Sequence, residues 1–154
     1  MGIKNFKAKS VEEPKTSENI TVKDFMTVNM YKFTEGQSVL EVMEALLKYG
    51  ISGGPVVNEH NEVIGIISEG DCMKQISESR YYNQPMDNMT VENYMVKNVE
   101  TISPDMHLFD VANKFLTLKM RRFPVCEHGK LVGLISQKDV LKAALALQGH
   151  NWKS

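Results

Sequence analysis

From Thr21 to Leu147 the chain is written twice. TVKDFMT (21–27) returns as TVENYMV (90–96). Met26, Asn29, Val42, Leu46, Pro55 and Val56 recur as Met95, Asn98, Val111, Phe115, Pro124 and Val125, all at one spacing of 69 residues. Past a turn-like stretch, NEHNE in the first copy and EHGK in the second, the spacing falls to 68, so that GIISEGD (65–71) matches GLISQKD (133–139). One residue is missing from the second copy between Asn58 and Lys130, where a loop tolerates a deletion. Repetition of this kind means one supersecondary unit used twice.

Each unit reads β-α-β-β-α. In the first, Met30–Phe33 is a short strand. Ser38 and Glu41 then make a capping box. Val39, Val42, Met43, Leu46 and Leu47 follow at helical spacing, and Gly50 ends the helix in the left-handed conformation. Gly54–Asn58 and Val63–Ile67 are apolar strands around a polar turn and form an antiparallel hairpin. Asp71 opens a helix running to about Ile76. In the second unit Thr101–Ile102 is the short strand. Pro104-Asp105 starts a helix carrying Leu108, Val111, Ala112, Phe115 and Leu116. Phe123–Cys126 and Leu131–Ser136 form the hairpin, and Val140–Leu147 the last helix, stopped at Gln148-Gly149. The expected fold class is α/β, with small mixed sheets packed together and helices outside, since neither sheet is large enough to stand alone. The expected domains are a flexible arm over 1–19, a first repeat over 20–78, a linker over 79–89, a second repeat over 90–147 and a tail over 148–154.

Composition excludes several classes. A formal net charge of -1 gives no basic face for nucleic acid. No apolar run approaches membrane-spanning length, and the N-terminal stretch lacks the apolar core of a signal peptide, so a cytoplasmic protein without membrane contact is expected. Cys72 and Cys126 occupy unrelated places in the repeat, which argues against a disulfide framework and a zinc site. His60, His107, His128 and His150 do not fall at metal spacing. No nucleophile-and-base set or Walker loop is visible, so no catalytic residue and no enzyme activity is expected.

The chemistry lies in the repeated Ser-x-x-Asp. At a strand end the serine can cap the next helix, with the aspartate in its first turn. The helix start attracts anions, the serine hydroxyl can donate to a phosphate, and the aspartate offers two acceptors to a ribose diol. Ser-x-x-Asp before an apolar run is also an ordinary capping pattern. Spacing alone leaves both open.

The doubled β-α-β-β-α unit, the repeated Pro-Val (55–56 and 124–125), the closing G-h-h-S-x-x-D and the matching T-V-x-x-h-M openings resemble a cystathionine-β-synthase (CBS) domain pair, or Bateman module. The resemblance covers 21–147 and implies a free-standing pair. It implies that Ser68, Asp71, Ser136 and Asp139 hold phosphate and ribose in two clefts between the copies. It points to Arg122 as a phosphate contact, to Thr34 and Ser103 as further phosphate or ribose contacts, and to Ile51–Gly54 and Met120–Phe123 as walls of the base pocket. Gly53 stands where the second copy has Arg122, so the two sites are expected to differ. The implied function is a regulatory module that binds an adenosine-containing nucleotide (AMP, ATP, an NAD-like ligand or cyclic di-AMP) and passes a shape change to a regulated protein. No cofactor is required, and a homodimer is expected. The alternative is an interaction or scaffold module with no nucleotide ligand.

Overall fold

The computed structural model describes residues 19–82 and 89–148. The expected arm apart from Asn19, residues 83–88 of the expected linker and the tail beyond Gln148 lie outside them. The first copy contains β1 (Phe33–Thr34), α1 (Val39–Tyr49), β2 (Gly53–Val57), β3 (Val63–Ser68) and α2 (Glu69–Tyr82); the second contains α3 (Leu108–Leu118), β4 (Arg122–Glu127), β5 (Lys130–Ser136) and α4 (Gln137–Gln148). The fold is mixed α/β. Ser38 caps α1 through the expected reciprocal box with Glu41, and Gly50 closes it at φ 63. In the second copy His107 Nδ1 accepts from Phe109 N at the start of α3, and Lys119 takes the left-handed closing position at φ 56.

β1 pairs parallel with β2, β2 antiparallel with β3, and β4 antiparallel with β5. The deleted residue falls in the hairpin turn. His128 and Gly129 both have positive φ, as a tight two-residue hairpin connection requires. α1 packs on α2 and α3 on α4.

The repeat boundaries read from sequence are not the boundaries of the two cores. Each opening is exchanged. Ile20 and Val22 are buried with Leu108, Val111, Phe115, Phe123, Val125 and Ile135 of the second copy. Val91 is buried reciprocally with Phe33, Val39, Val42, Val56 and Ile67 of the first. The backbone repeats the exchange. Val22 N donates to Met106 O at 3.0 Å and Val91 N to Gln37 O at 2.8 Å. Thr27 bridges to Leu134, and Val96 to Ile66. Met26 and Met95 end these openings, and each lies on the glycine that begins the other copy's Ser-x-x-Asp segment. A Cβ on Gly133 would lie 2.8 Å from Met26 Sδ, and one on Gly65 would lie 2.6 Å from Met95 Sδ and 2.7 Å from Val96 O.

Several expectations are corrected. The first strand is only Phe33–Thr34, because Tyr31 and its neighbours turn toward a cleft rather than pair. Its counterpart is reduced to one bridge between Ile102 and Val125. β2 begins at Gly53, and Pro55 is its third residue. The third helix starts at Leu108, not at Pro104. The carbonyls of Pro104 and Met106 accept from Lys23 and Val22 of the exchanged opening, so they cannot serve a helix there. α2 runs past Ile76 to Tyr82, into the expected linker.

The exchange predicts opposite effects at two nearby glycines. Gly65→Ala forces backbone and sulfur apart and lowers stability by about 1–3 kcal/mol. Gly70, inside α2 with only Ser68 Oγ at 3.8 Å from its Cβ position, gains roughly 0.5–1 kcal/mol on change to alanine through helix propensity. Urea denaturation of both variants measures the two signs.

Candidate functional site

The exchanged openings bring one copy's Ser-x-x-Asp against the other copy's hairpin start. The first cleft, about 350 Å³, is walled by Thr27, Asn29, Met30 and Tyr31 behind the opening, by Ile51, Ser52 and Gly53 before and at the start of β2, and by Leu134, Ser136 and Asp139 of the second copy. The second cleft, about 180 Å³, is its counterpart: Val96 and Val99, then Met120, Arg121 and Arg122, against Ile66, Ser68 and Asp71 of the first copy. The residues correspond by the internal spacing, so the clefts are two versions of one site. A third cavity, about 260 Å³, is shared by Ser52, Ser68, Glu69, Gly70, Arg121 and Arg122.

At both sites the aspartate caps its own turn. Asp139 is buried, and its Oδ2 accepts from Ser136 N at 2.9 Å while Asp139 N donates to Ser136 Oγ at 3.2 Å. Asp71 is half-buried, and its Oδ2 accepts from Ser68 N at 2.9 Å and from Ser68 Oγ at 3.0 Å. The first N–H of each following helix is spent on its own hairpin start, Glu69 N on Ser52 O at 2.9 Å and Gln137 N on Arg121 O at 3.3 Å. Capping and cleft lining are therefore not alternatives here. The same two side chains do the first and are positioned for the second.

Arg122 is half-buried, and its Nη2 donates to Ser52 Oγ of the other copy. Burial, and the neighbouring charge of Arg121, pull its pKa down, while Glu69 opposes this. The guanidinium occupies the space over Gly53, whose Cβ would lie 3.0 Å from Nη1.

Of the residues expected from sequence, Ser136, Asp139, Ile51 and Arg122 line the first cleft, and Ser68, Asp71, Met120 and Arg122 the second. Four others do not line either. Thr34 is exposed in β1, with its N–H on Gln37 Oε1. Ser103 is exposed, and its Oγ accepts from Asp105 N. Gly54 is buried, and a Cβ there would lie 2.9 Å from Tyr31 O; Phe123 is wholly within the second core. Thr27, Met30, Tyr31, Leu134, Val96 and Val99 were not expected as lining, whereas Ser52, Gly53 and Arg121 fall within the expected wall segments. The repeated Asn29/Asn98 pair just beyond the methionines marked that segment. Asn29 lines the first cleft, and Asn98, at φ 57, a pocket beside the second. Among the described residues no group of three or more His, Cys, Asp or Glu could hold a metal, and no helix is long and apolar enough to cross a membrane. Cys72 is buried beside Asp71. Burial and the adjacent carboxylates push its thiol up to about 11, so it stays protonated at neutral pH.

A family model described as CBS domain matches residues 22–78 and 91–146. An uncharacterized protein of Methanocaldococcus jannaschii is 29% identical over 134 residues, 87% of this chain; the chain spans 45% of that relative's length. Among solved structures, CBSX2 of Arabidopsis thaliana in complex with AMP superposes with a TM-score of 0.74 at 28% identity, covering 83% of this chain and 98% of that one. The CBS domain pair of protein MJ0100, in complex with 5′-methylthioadenosine and S-adenosyl-L-methionine, superposes at 0.69 with 26% identity, covering 82% and 97%.

The capping geometry carries its own prediction. Asp139→Ala strips the acceptor from the Ser136 N–H and costs about 1 kcal/mol in the ligand-free chain, whereas Asp139→Asn keeps an acceptor oxygen and costs less. Thermal denaturation of the two variants without added nucleotide gives the comparison.

Proposed function

The chain belongs to the CBS-domain family, and from that premise we propose that it is a regulatory sensor of adenosine-containing ligands. The observation that carries this is the doubled cleft. In each, a Ser-x-x-Asp from one copy faces a half-apolar, half-polar wall from the other. A ribose diol fits the aspartate, whose second carboxylate oxygen lies beyond the capping bonds. Ser52, Ser68 and the paired arginines suit phosphate, because guanidinium forks phosphate oxygens. Ile51 and Met120 stand at equivalent wall positions suited to a purine face. A solved CBS pair of closely similar fold is in complex with AMP, and another with adenosine-bearing sulfur compounds. Both support adenosine as the common element. Among 5′-phosphorylated ligands AMP is the first to test, since both clefts are small.

Signalling needs a state that ligand can bias, and binding shifts an equilibrium only by differential affinity for its two ends. A ligand spanning a cleft touches both copies, and thereby holds each exchanged opening against its neighbour's Ser-x-x-Asp. We infer a homodimer through the outer helices. Leu47 and Leu116 are 84% and 78% exposed at equivalent places on α1 and α3, and Met73 and Leu141 are both 66% exposed on α2 and α4. Such repeated apolar exposure calls for cover.

AMP in hundredfold excess over its dissociation constant should raise the melting temperature on the order of 5–10 °C. GMP should raise it less, and the paired Asp71→Asn and Asp139→Asn changes should remove the response. No shift with any adenine nucleotide would favour the scaffold reading. Equal shifts with AMP, GMP and inorganic phosphate would reduce the site to general anion binding.

A further inference from the structure

We propose that the single guanidinium of Arg122 is shared by the two clefts, so that 5′-phosphorylated ligands fill them in turn rather than independently. This rests on the reading of the clefts as adenosine-ligand sites. Gly53 and Arg122 are equivalent positions of the repeat, yet only one carries a side chain. At Gly53 none can be added, because a Cβ would lie 2.6 Å from Ile67 O and 3.0 Å from Ser68 Cα. The two-site molecule therefore has one arginine at this position where strict repetition would supply two.

That arginine belongs to both sites. By position it walls the second cleft, together with Ser68 and Asp71. By its side chain it crosses to the first, where Nη2 holds Ser52 Oγ. The middle cavity, with Ser68, Glu69 and Gly70 at the start of α2, lies along the same side chain. A phosphate entering the second cleft near Ser68 would draw the guanidinium off Ser52. A phosphate in the first would hold it there. A fork bound to one phosphate cannot be bound to the other, and the second phosphate arrives with its charge less compensated. Arg121 and Lys119 also line the second cleft, but both are exposed to solvent, which weakens their hold on a phosphate, and the half-buried Arg122 carries the stronger one.

Calorimetric titration tests the sharing. Asp71→Asn and Asp139→Asn each leave one intact cleft and define its affinity alone. In the unmutated chain the second AMP should bind about tenfold more weakly than that cleft does alone, within the ordinary range of coupling between sites. Adenosine, which lacks the phosphate, should give the sum of its two single-cleft curves. Arg122→Ala should make AMP additive as well, with adenosine additive before and after the change, and Arg121→Ala should leave the AMP shortfall in place. An AMP curve equal to the sum of the single-cleft curves overturns the sharing and leaves the nucleotide reading intact. So does a shortfall that survives Arg122→Ala. Absence of binding by both AMP and adenosine overturns the nucleotide reading itself, and the sharing with it. Phosphorus NMR needs no aspartate variant. Bound AMP signals that appear in sequence in the unmutated chain and together in Arg122→Ala uphold the sharing; signals that appear together in both overturn it.

Discussion

A methionine from each half lies on a glycine of the other: Met26 on Gly133 and Met95 on Gly65. Almost everything else depends on this contact. It requires that residue 65 and residue 133 have no side chain, and it draws the opening of each copy away from its own strands. Once the openings are exchanged, Val22 and Val91 complete cores that their own repeats lack. Neither half can bury its apolar faces alone, because a unit of this size has too little core. The exchange ties the two copies together through reciprocal burial and paired bridges.

The same exchange creates the clefts. The chain leaving Met26 runs through Thr27, bridged to Leu134, and into the wall formed by Asn29, Met30 and Tyr31. Ser136 and Asp139 sit at the far side because β5, carrying Leu134, ends there. The second cleft follows from Met95, Val96 and Ile66 in the same way. Core packing and site geometry are thus set by one set of residues. On the proposed reading, a ligand in either cleft would touch a docked opening and the opposite Ser-x-x-Asp together.

Symmetry holds in the backbone and fails in charge. Cap bonds, bridges and walls recur from copy to copy, but Ser52-Gly53 faces Arg121-Arg122. At this place the two equivalent positions approach each other, as the contact of Gly53 with Arg122 Nη1 shows. Close approach leaves room for one long side chain. The departure from strict repetition is a packing outcome with electrostatic consequences, and Ser52 and Glu69 serve the one guanidinium that remains.

The sequence by itself determined the doubled α-β-β-α order, the α1 cap at Ser38, the stop at Gly50, the turn that absorbs the deletion, and the family. These follow from local chemistry: capping, periodicity and turn geometry act within a few residues, and repetition doubles each signal. It also marked Ser68, Asp71, Ser136 and Asp139, because the Ser-x-x-Asp recurs at the same place in both copies and the family resemblance falls on it, although spacing alone reads equally as a cap. Only the tertiary structure decided that the openings cross over, that α3 starts at Leu108 because the Pro104 and Met106 carbonyls are taken, and that Thr34, Ser103, Gly54 and Phe123 stand apart from the clefts. The same holds for Arg122 reaching Ser52 across 70 positions of chain. These depend on which surfaces meet. A repeated sequence is silent there, because a segment fits its own copy and its twin by the same pattern, and only the packing of both together selects one.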